Sequence, residues 1–475
     1  MPSTRKDSSA NLQGQRYFVL VFALFSGWLL TFPFEGRILY SLFESKGIEA
    51  SGFALVVIAC HFAGLLTAGI IVRTSQRAEI VVQAMLLVCA ACTSLYFTSP
   101  GFHWFIALPV AGYAAGICLA SFGYFFHRLT VRGQRFRTAA DMLIASNILM
   151  ILLNVTSMEA PPTLMLSIAI LLLLFSFLLS GRLFRLPQAV SDDVFGNGSS
   201  GKGSIGIYPL RPLLILCLFI AVVTIDSGLM YRVVNPNYAH LDWLAGWYWA
   251  VPYVAVLLLL RNLPGRIDRT YFLYIAISMI GVSFLGFMIL DRSVASYLIV
   301  NTLMMGASGV FDLFWWSILG EMLDDWPNRA RLFGAGLAAN VLGILIGGSI
   351  ASRIAEPSIV ALFVVFAVLI LLPVMNRQLS AVRSDHAFLS RAAEYIAQGD
   401  DHDVENSAAV SLLTKREQEI INHLLTGRTN RMIAAELHLS ENTVKTHVKN
   451  IYGKFEVQSR TELLRRFLDD RANKL

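Results

Sequence analysis

The feature that most limits what this chain can fold into is a succession of apolar runs about twenty residues long, poor in charge and separated by arginine-bearing loops. A helix of that length matches the hydrocarbon thickness of a bilayer, and among open chains the helix alone satisfies its own backbone there. Such windows fall near 17–34, 52–72, 80–98, 103–126, 139–156, 163–180, 211–231, 242–260, 271–290, 294–320, 333–352 and 357–375. Composition agrees: with 56% hydrophobic residues, 15% charged residues and a mean hydropathy of +0.60, the chain reads as a membrane protein. Without those values, 475 residues would suggest two to four soluble domains. The expected fold is all-α, beginning with a polytopic bundle of twelve transmembrane helices in a lipid bilayer. Residues 1–16 form a polar, basic tail, and the first run is too extended, and too poor in small residues for cleavage, to be a removable signal peptide.

Basic residues set the expected orientation. If the N-terminus is cytoplasmic, fifteen Lys and Arg fall in inner loops and five, Arg37, Lys46, Arg232, Arg292 and Arg353, in outer ones. That bias places both termini in the cytoplasm. The longest break, 181–210, contains the glycine- and serine-rich GNGSSGKGSIG and reads as a flexible cytoplasmic loop between two six-span halves, 17–180 and 211–375. All five cysteines lie in apolar runs and suggest no disulfide framework; Cys89 and Cys92 have CxxC spacing but stand inside a span, where helix packing is the expected role.

A change of character follows. Residues 376–410 form a linker, too short for a receiver domain, whose acidic stretch 399–406 is either a plain solvated tether or an off-state mask for nearby lysines. From 411 to 475 the chain carries a net charge of +4, from 12 Lys and Arg against 8 Asp and Glu. Thr414 and Glu417 have the spacing of a capping box, so a helix starts there and ends at Gly427. Thr429 opens a short second helix, and after the tight His438-Leu439 connection Ser440 caps a third. Two helices joined so closely form a helix-turn-helix, whose second helix enters the major groove. In that helix Val444, Val448, Ile451 and Phe455 make the core-facing side. Lys445, Thr446, Lys449 and Asn450, with Thr443 and Lys454 at the ends, are left to face double-stranded promoter DNA. Ser459 and Glu462 mark a second capping box and a fourth helix, whose Leu463, Leu464 and Phe467 suggest a homodimer contact.

The ordered residues LTKRE, GRTNRMIA and LSENTVKTHVKNIYGK, closing on SRTEL, resemble the LuxR/NarL-type helix-turn-helix over its whole length. Arg431 stands where that family often has Lys, and Phe455-Glu456 where it usually has Leu-Gly. The resemblance implies base-facing positions at Lys445, Thr446 and Lys449, and phosphate-side positions at Thr443 and Arg431. The membrane portion resembles major facilitator transporters in layout, six spans on each side of a long cytoplasmic loop. The loop from Gly69 to Arg77 keeps only part of that superfamily's signature, lacking its Asp and second Gly. That layout implies a cavity lined by the first, fourth, seventh and tenth spans.

Asp226 and Asp312 fall on the seventh and tenth spans, and an ionisable residue in hydrocarbon is costly enough to be a site by default. Each is either a ligand anchor or one side of a helix-to-helix polar contact. Asn301 sits near the level of Asp226, and Trp28, Tyr113, Trp243 and Trp247 are further candidates for a small-molecule pocket; the last two equally suit the interfacial aromatic belt. His61, Asn147, Asn154 and Asn340 read as interhelical glue. The sequence holds no catalytic constellation, phosphate-binding loop or metal cluster, so no enzyme activity, metal or cofactor is expected. The expected function is a one-component transcriptional regulator in the bacterial cytoplasmic membrane, sensing a small molecule through its spans and resembling regulators that join such domains. A working transporter with a fused regulatory domain is the alternative.

Overall fold

The structure is a computed structural model that describes residues 3–34, 36–48, 53–185, 210–263, 270–351, scattered positions from 353 to 373, and 413–425, 430–455, 457 and 463. The chain divides into two compact units, Met1–Pro373 and Val374–Leu475. The described residues form helices and turns, without a strand.

In the first unit the helices are α1 (Ser3–Thr31), α2 (Arg37–Ser45), α3 (Phe53–Ile71), α4 (Ser75–Ser94), α5 (Phe102–Leu129), α6 (Arg135–Glu159) and α7 (Pro162–Leu183). After residues 186–209 come α8 (Leu210–Leu229), α9 (Asn235–Asn237), α10 (Asp242–Ala245), α11 (Ala250–Asn262), α12 (Thr270–Ile289), α13 (Val294–Met322) and α14 (Arg329–Ala351). Local chemistry starts several of them. The Thr74 hydroxyl accepts from the Arg77 amide at 3.3 Å to cap α4, Ser293 does the same for α13, and Pro162 opens α7. Among the described residues, eight helices are long and apolar enough to cross a membrane, or nine if a bent pair counts as one span. Each of the first eleven expected windows overlaps a helix, while the twelfth lies mostly outside the described residues, as do the loop 186–209 and the linker.

One window departs from a simple span. In 242–260 the helix breaks, and the segments Ala239–Ala245 and Ala250–Asn262 meet at 41°. Asp242 receives both guanidinium nitrogens of Arg37, at 3.1 and 2.8 Å. A Cβ on Gly246 would stand 2.2 Å from Met158 Cε, so the break is held from outside by a paired charge and a close approach.

The bundle is knit where helix backbones touch. Between α8 and α14, a Cβ on Gly343 would lie 2.2 Å from the Ala221 carbonyl and one on Gly347 2.2 Å from that of Ile225. Small residues at such a seam let membrane helices pack without side chains between them. The α3–α5 crossing is similarly close at Gly64 and Gly116.

A buried ion network joins α5 and α6 to α13. Arg135, 1% exposed, donates to the Gly320 carbonyl at 2.8 Å and to Asp324 at 2.6 Å, and His127 Nε2 lies 3.0 Å from the same Asp324 oxygen. Burial alone would raise the Asp324 carboxyl; the bonds and charges of His127 and Arg135 win and hold it far below the usual range. Nearby, Asn328 Nδ2 donates to the Gly69 carbonyl at 2.7 Å, and Arg261 Nη2 donates to Asp141 at 3.1 Å.

In the second unit α15 (Lys415–Leu425), α16 (Asn430–Glu436) and α17 (Glu441–Lys454) enclose a core of Ile420, Ile421, Leu424, Ile433, Val444, Val448 and Ile451, with Leu463 also buried. Gly427, Thr429, Ser459, Glu462, Leu464 and Phe467, and with them the second capping box and the expected dimer helix, lie outside the described residues.

Candidate nucleic-acid interface and membrane cavity

Three local devices build the helix-turn-helix. At the start of α15 the expected capping box is present: the Thr414 amide and hydroxyl donate to Glu417 Oε2 at 2.8 and 2.9 Å, and the Glu417 amide returns to the Thr414 hydroxyl at 3.3 Å. The same carboxylate oxygen accepts from Lys454 at 2.6 Å, which ties the first helix to the end of the last. Burial works against that charge, but the Lys454 bond and the two Thr414 bonds outweigh it and hold the Glu417 carboxyl below its ordinary range. Between α16 and α17, His438 takes φ +54°, a left-handed turn that His adopts more readily than most residues, and the Leu439 amide closes it on the Ala434 carbonyl at 2.8 Å. Ser440 then caps α17 by accepting from the Thr443 amide at 3.1 Å.

The face of α17 opposite its core is exposed at Thr443, Lys445, Thr446, Lys449 and Asn450. Thr446 returns its hydroxyl to the Asn442 carbonyl at 3.0 Å, and Thr443 shares a 2.6 Å bond with the Ser440 hydroxyl. Lys445 pairs with Glu441 one turn earlier, at 2.8 Å, a contact that i,i+4 spacing alone makes readable. Lys454 stands at the helix end with its ammonium committed to Glu417, a role that its place among the polar residues did not reveal. The side chain of Arg431 lies outside the described residues.

In the membrane unit, α8, α12 and α13 enclose a cavity of about 20 Å³ lined by Thr224, Asp226, Ser227, Ile280, Ser308 and Asp312. That volume suits about one water molecule. Both oxygens of Asp312 are occupied: Tyr253 donates its hydroxyl at 2.8 Å and Trp315 its indole N–H at 3.0 Å. Asp226 is 4% exposed, and its Oδ1 is buried without a hydrogen-bond partner.

The other expected pocket residues stand apart from this cavity. Trp28 is fully buried among Phe25 and Phe32 and donates to Thr93 at 3.1 Å. Tyr113 pairs with Thr67 at 2.9 Å, Asn301 donates to the Tyr297 hydroxyl at 2.7 Å, Trp247 packs edge-on against Tyr248, and Trp243 is 61% exposed. His61 bonds across to the Gly112 carbonyl at 3.2 Å, whereas Asn147 bonds Leu143 on its own helix. The network of His127, Arg135 and Asp324 escaped the sequence reading because Arg135 counts there as one loop cation among many.

A bundle of helices long and apolar enough to cross a membrane, followed by a helix-turn-helix, defines a two-part class of protein. Comparison with known proteins sharpens both parts. Residues 411–467 match the profile of the family described as bacterial regulatory proteins, luxR family. The CsgBAC operon transcriptional regulatory protein of Escherichia coli (strain K12) is 39% identical over 89 residues, 19% of this chain and 41% of that protein. The chain thus spans about two fifths of the length of that relative. The fold of the membrane part is that of transporters: the human organic anion transporter MFSD10 (TETRAN) aligns with a TM-score of 0.60 at 14% identity, over 76% of this chain and 99% of its own. FucP, a Major Facilitator Superfamily transporter in the outward conformation, aligns with a TM-score of 0.54 at 13% identity, over 75% and 98%. The chain carries a LuxR-type DNA-binding domain and a membrane domain of the major facilitator fold.

Proposed function

We propose that this protein is a membrane-embedded one-component transcriptional regulator: a twelve-span, six-plus-six membrane domain binds a small molecule, and the C-terminal domain changes its occupancy of promoter DNA in response. The observation that carries this reading is the presence, in one chain, of a LuxR-type domain and a membrane domain with a transporter fold. Lys445, Thr446 and Lys449 meet bases, with Asn450 beside them, while Thr443 and Arg431 meet phosphates, and the last helix pairs two copies on DNA. The protein lies in the bacterial cytoplasmic membrane with both termini and the 181–210 loop inside, the arrangement that gives the helix-turn-helix access to DNA. A ligand signals by binding two membrane conformations unequally, and about 3 kcal/mol of difference changes occupancy up to roughly a hundredfold.

The test is transcription in a deletion strain, with and without a panel of small aromatic and acidic metabolites, followed by chromatin occupancy of the full chain. A regulon that ignores every membrane-domain variant would refute sensing. A second reading, a working transporter that also regulates, is favoured by the near-complete coverage of transporter chains by this fold. Uptake of a labelled ligand into vesicles that carry the protein separates the two.

A further inference from the structure

Asp226 and Asp312 line one cavity yet stand in opposite chemical situations. Asp312 has a donor on each oxygen, from Tyr253 on α11 and from Trp315 on its own helix, so its negative charge is balanced by hydrogen bonds. Asp226 has no such support. Its Oδ1 is buried and unpartnered, and two of the three lining hydroxyls are directed elsewhere: Thr224 donates to the Ile220 and Asn340 carbonyls and Ser308 to the Met304 carbonyl, with Ser227 the third. The elements packed around Asp226 bring little charge. α12 presents Ile280, α14 meets α8 through Gly343 and Gly347 with Asn340 beside them, and among the described residues the titratable groups at the cavity are Asp226 and Asp312, with Tyr253 behind the latter.

A bare carboxylate in such surroundings is heavily penalised, whereas a carboxylic acid is not. The cavity is too small for a metabolite and large enough for one water. Among the described residues, no group of three or more His, Cys, Asp or Glu is placed to hold a metal ion. We propose that this cavity is a proton-binding site, in which Asp226 carries the proton as a neutral acid and donates it through one water to the Asp312 carboxylate. Binding adds one proton from bulk water to the Asp226 carboxylate, and release returns that proton to bulk water, so the exchange balances without a further reactant. The inference deepens the proposed sensing role, on which its regulatory meaning rests: the site reads proton availability, by itself or together with a second ligand.

The test uses the full chain in lipid nanodiscs, with infrared spectra recorded as pH is raised from neutral. The expected result is a protonated-carboxyl band at pH 7 that shifts in D2O, fades as pH rises and is lost in Asp226→Asn but kept in Asp312→Asn. Ser308→Val fills the cavity without altering either acid and should shift the band while leaving it present, which protects the test if Asp226→Asn fails to insert. Absence of the band in wild-type protein at pH 7 would overturn the proposal, as would its removal by sodium ions at constant pH, which would make the occupant a metal cation. Promoter occupancy is followed in parallel. A band that behaves as stated while occupancy ignores pH would uphold the proton site and refute its sensing role.

Discussion

Asp324→Asn isolates the charge in the network that joins α5 and α6 to α13. Asparagine keeps the shape and one acceptor, so the Arg135 guanidinium remains 1% exposed and loses its counter-charge. Removing one partner of a buried pair costs about 3–5 kcal/mol. Two features reduce that figure here: Arg135 keeps its 2.8 Å bond to the Gly320 carbonyl, and the Asp324 side chain is 26% exposed, so water reaches the site. The expected loss is therefore roughly 2–4 kcal/mol at pH 7. The double variant Arg135→Gln with Asp324→Asn removes the buried guanidinium together with its counter-charge and should recover part of it. The pH dependence has a definite sign. A carboxyl held below its ordinary value in the folded state stabilises fully above that value, about 3.9, and the contribution is lost as pH falls further. Wild type and Asp324→Asn should thus differ by a constant amount from about pH 5 to 8 and converge below about 4. The assay is denaturant unfolding of the full chain in mixed micelles, with helix content and tryptophan emission both recorded. A difference under about 0.5 kcal/mol at pH 7, or a gap that widens in acid, would refute the reasoning.

Three further outcomes are expected. Lys445→Ala and Lys449→Ala should weaken sequence preference by about 1–3 kcal/mol each, while Arg431→Ala should lower affinity for all sequences and flatten the salt dependence; footprints on operator and random DNA distinguish the two patterns. Glu417→Gln should destabilise the second unit by roughly 1–2 kcal/mol through the weakened cap and lost Lys454 pair, and the wild-type advantage should fade as pH falls below about 4, readable by hydrogen exchange of α15 amides. Reporter fusions after Arg185, after Met375 and in the 232–241 loop should give inside, inside and outside; an external signal at either of the first two would reverse the orientation.

Much of this architecture was legible in the chain because a bilayer leaves few choices. Runs of apolar residues gave helices at the first eleven expected positions, and the Thr414 box, the Ser440 cap and the Val444, Val448 and Ile451 face appeared as their spacing required. What escaped depends on contacts between distant residues. The break at Gly246 is contacted by Arg37 and Met158, which no local pattern joins to it. Lys454 meets Glu417 thirty-seven residues away, and Arg135 meets Asp324 across 189. The cavity illustrates the same division. Asp226 and Asp312 were visible as acids in hydrocarbon, but that they share one water-sized space, and that Tyr253 serves only one of them, required three dimensions.

The seam between α8 and α14 carries a mechanical consequence. Where two helices touch through side chains, rotamers can change and absorb a small displacement, so motion of one need not reach the other. At Gly347 the backbones are in direct contact, against the Ile225 carbonyl and Gly228, while at Gly343 the Ala221 carbonyl and the Thr224 hydroxyl both close on the glycine. A displacement of α8 at Ile225, next to Asp226, therefore bears directly on α14 at Gly347, one turn before that helix ends at Ala351.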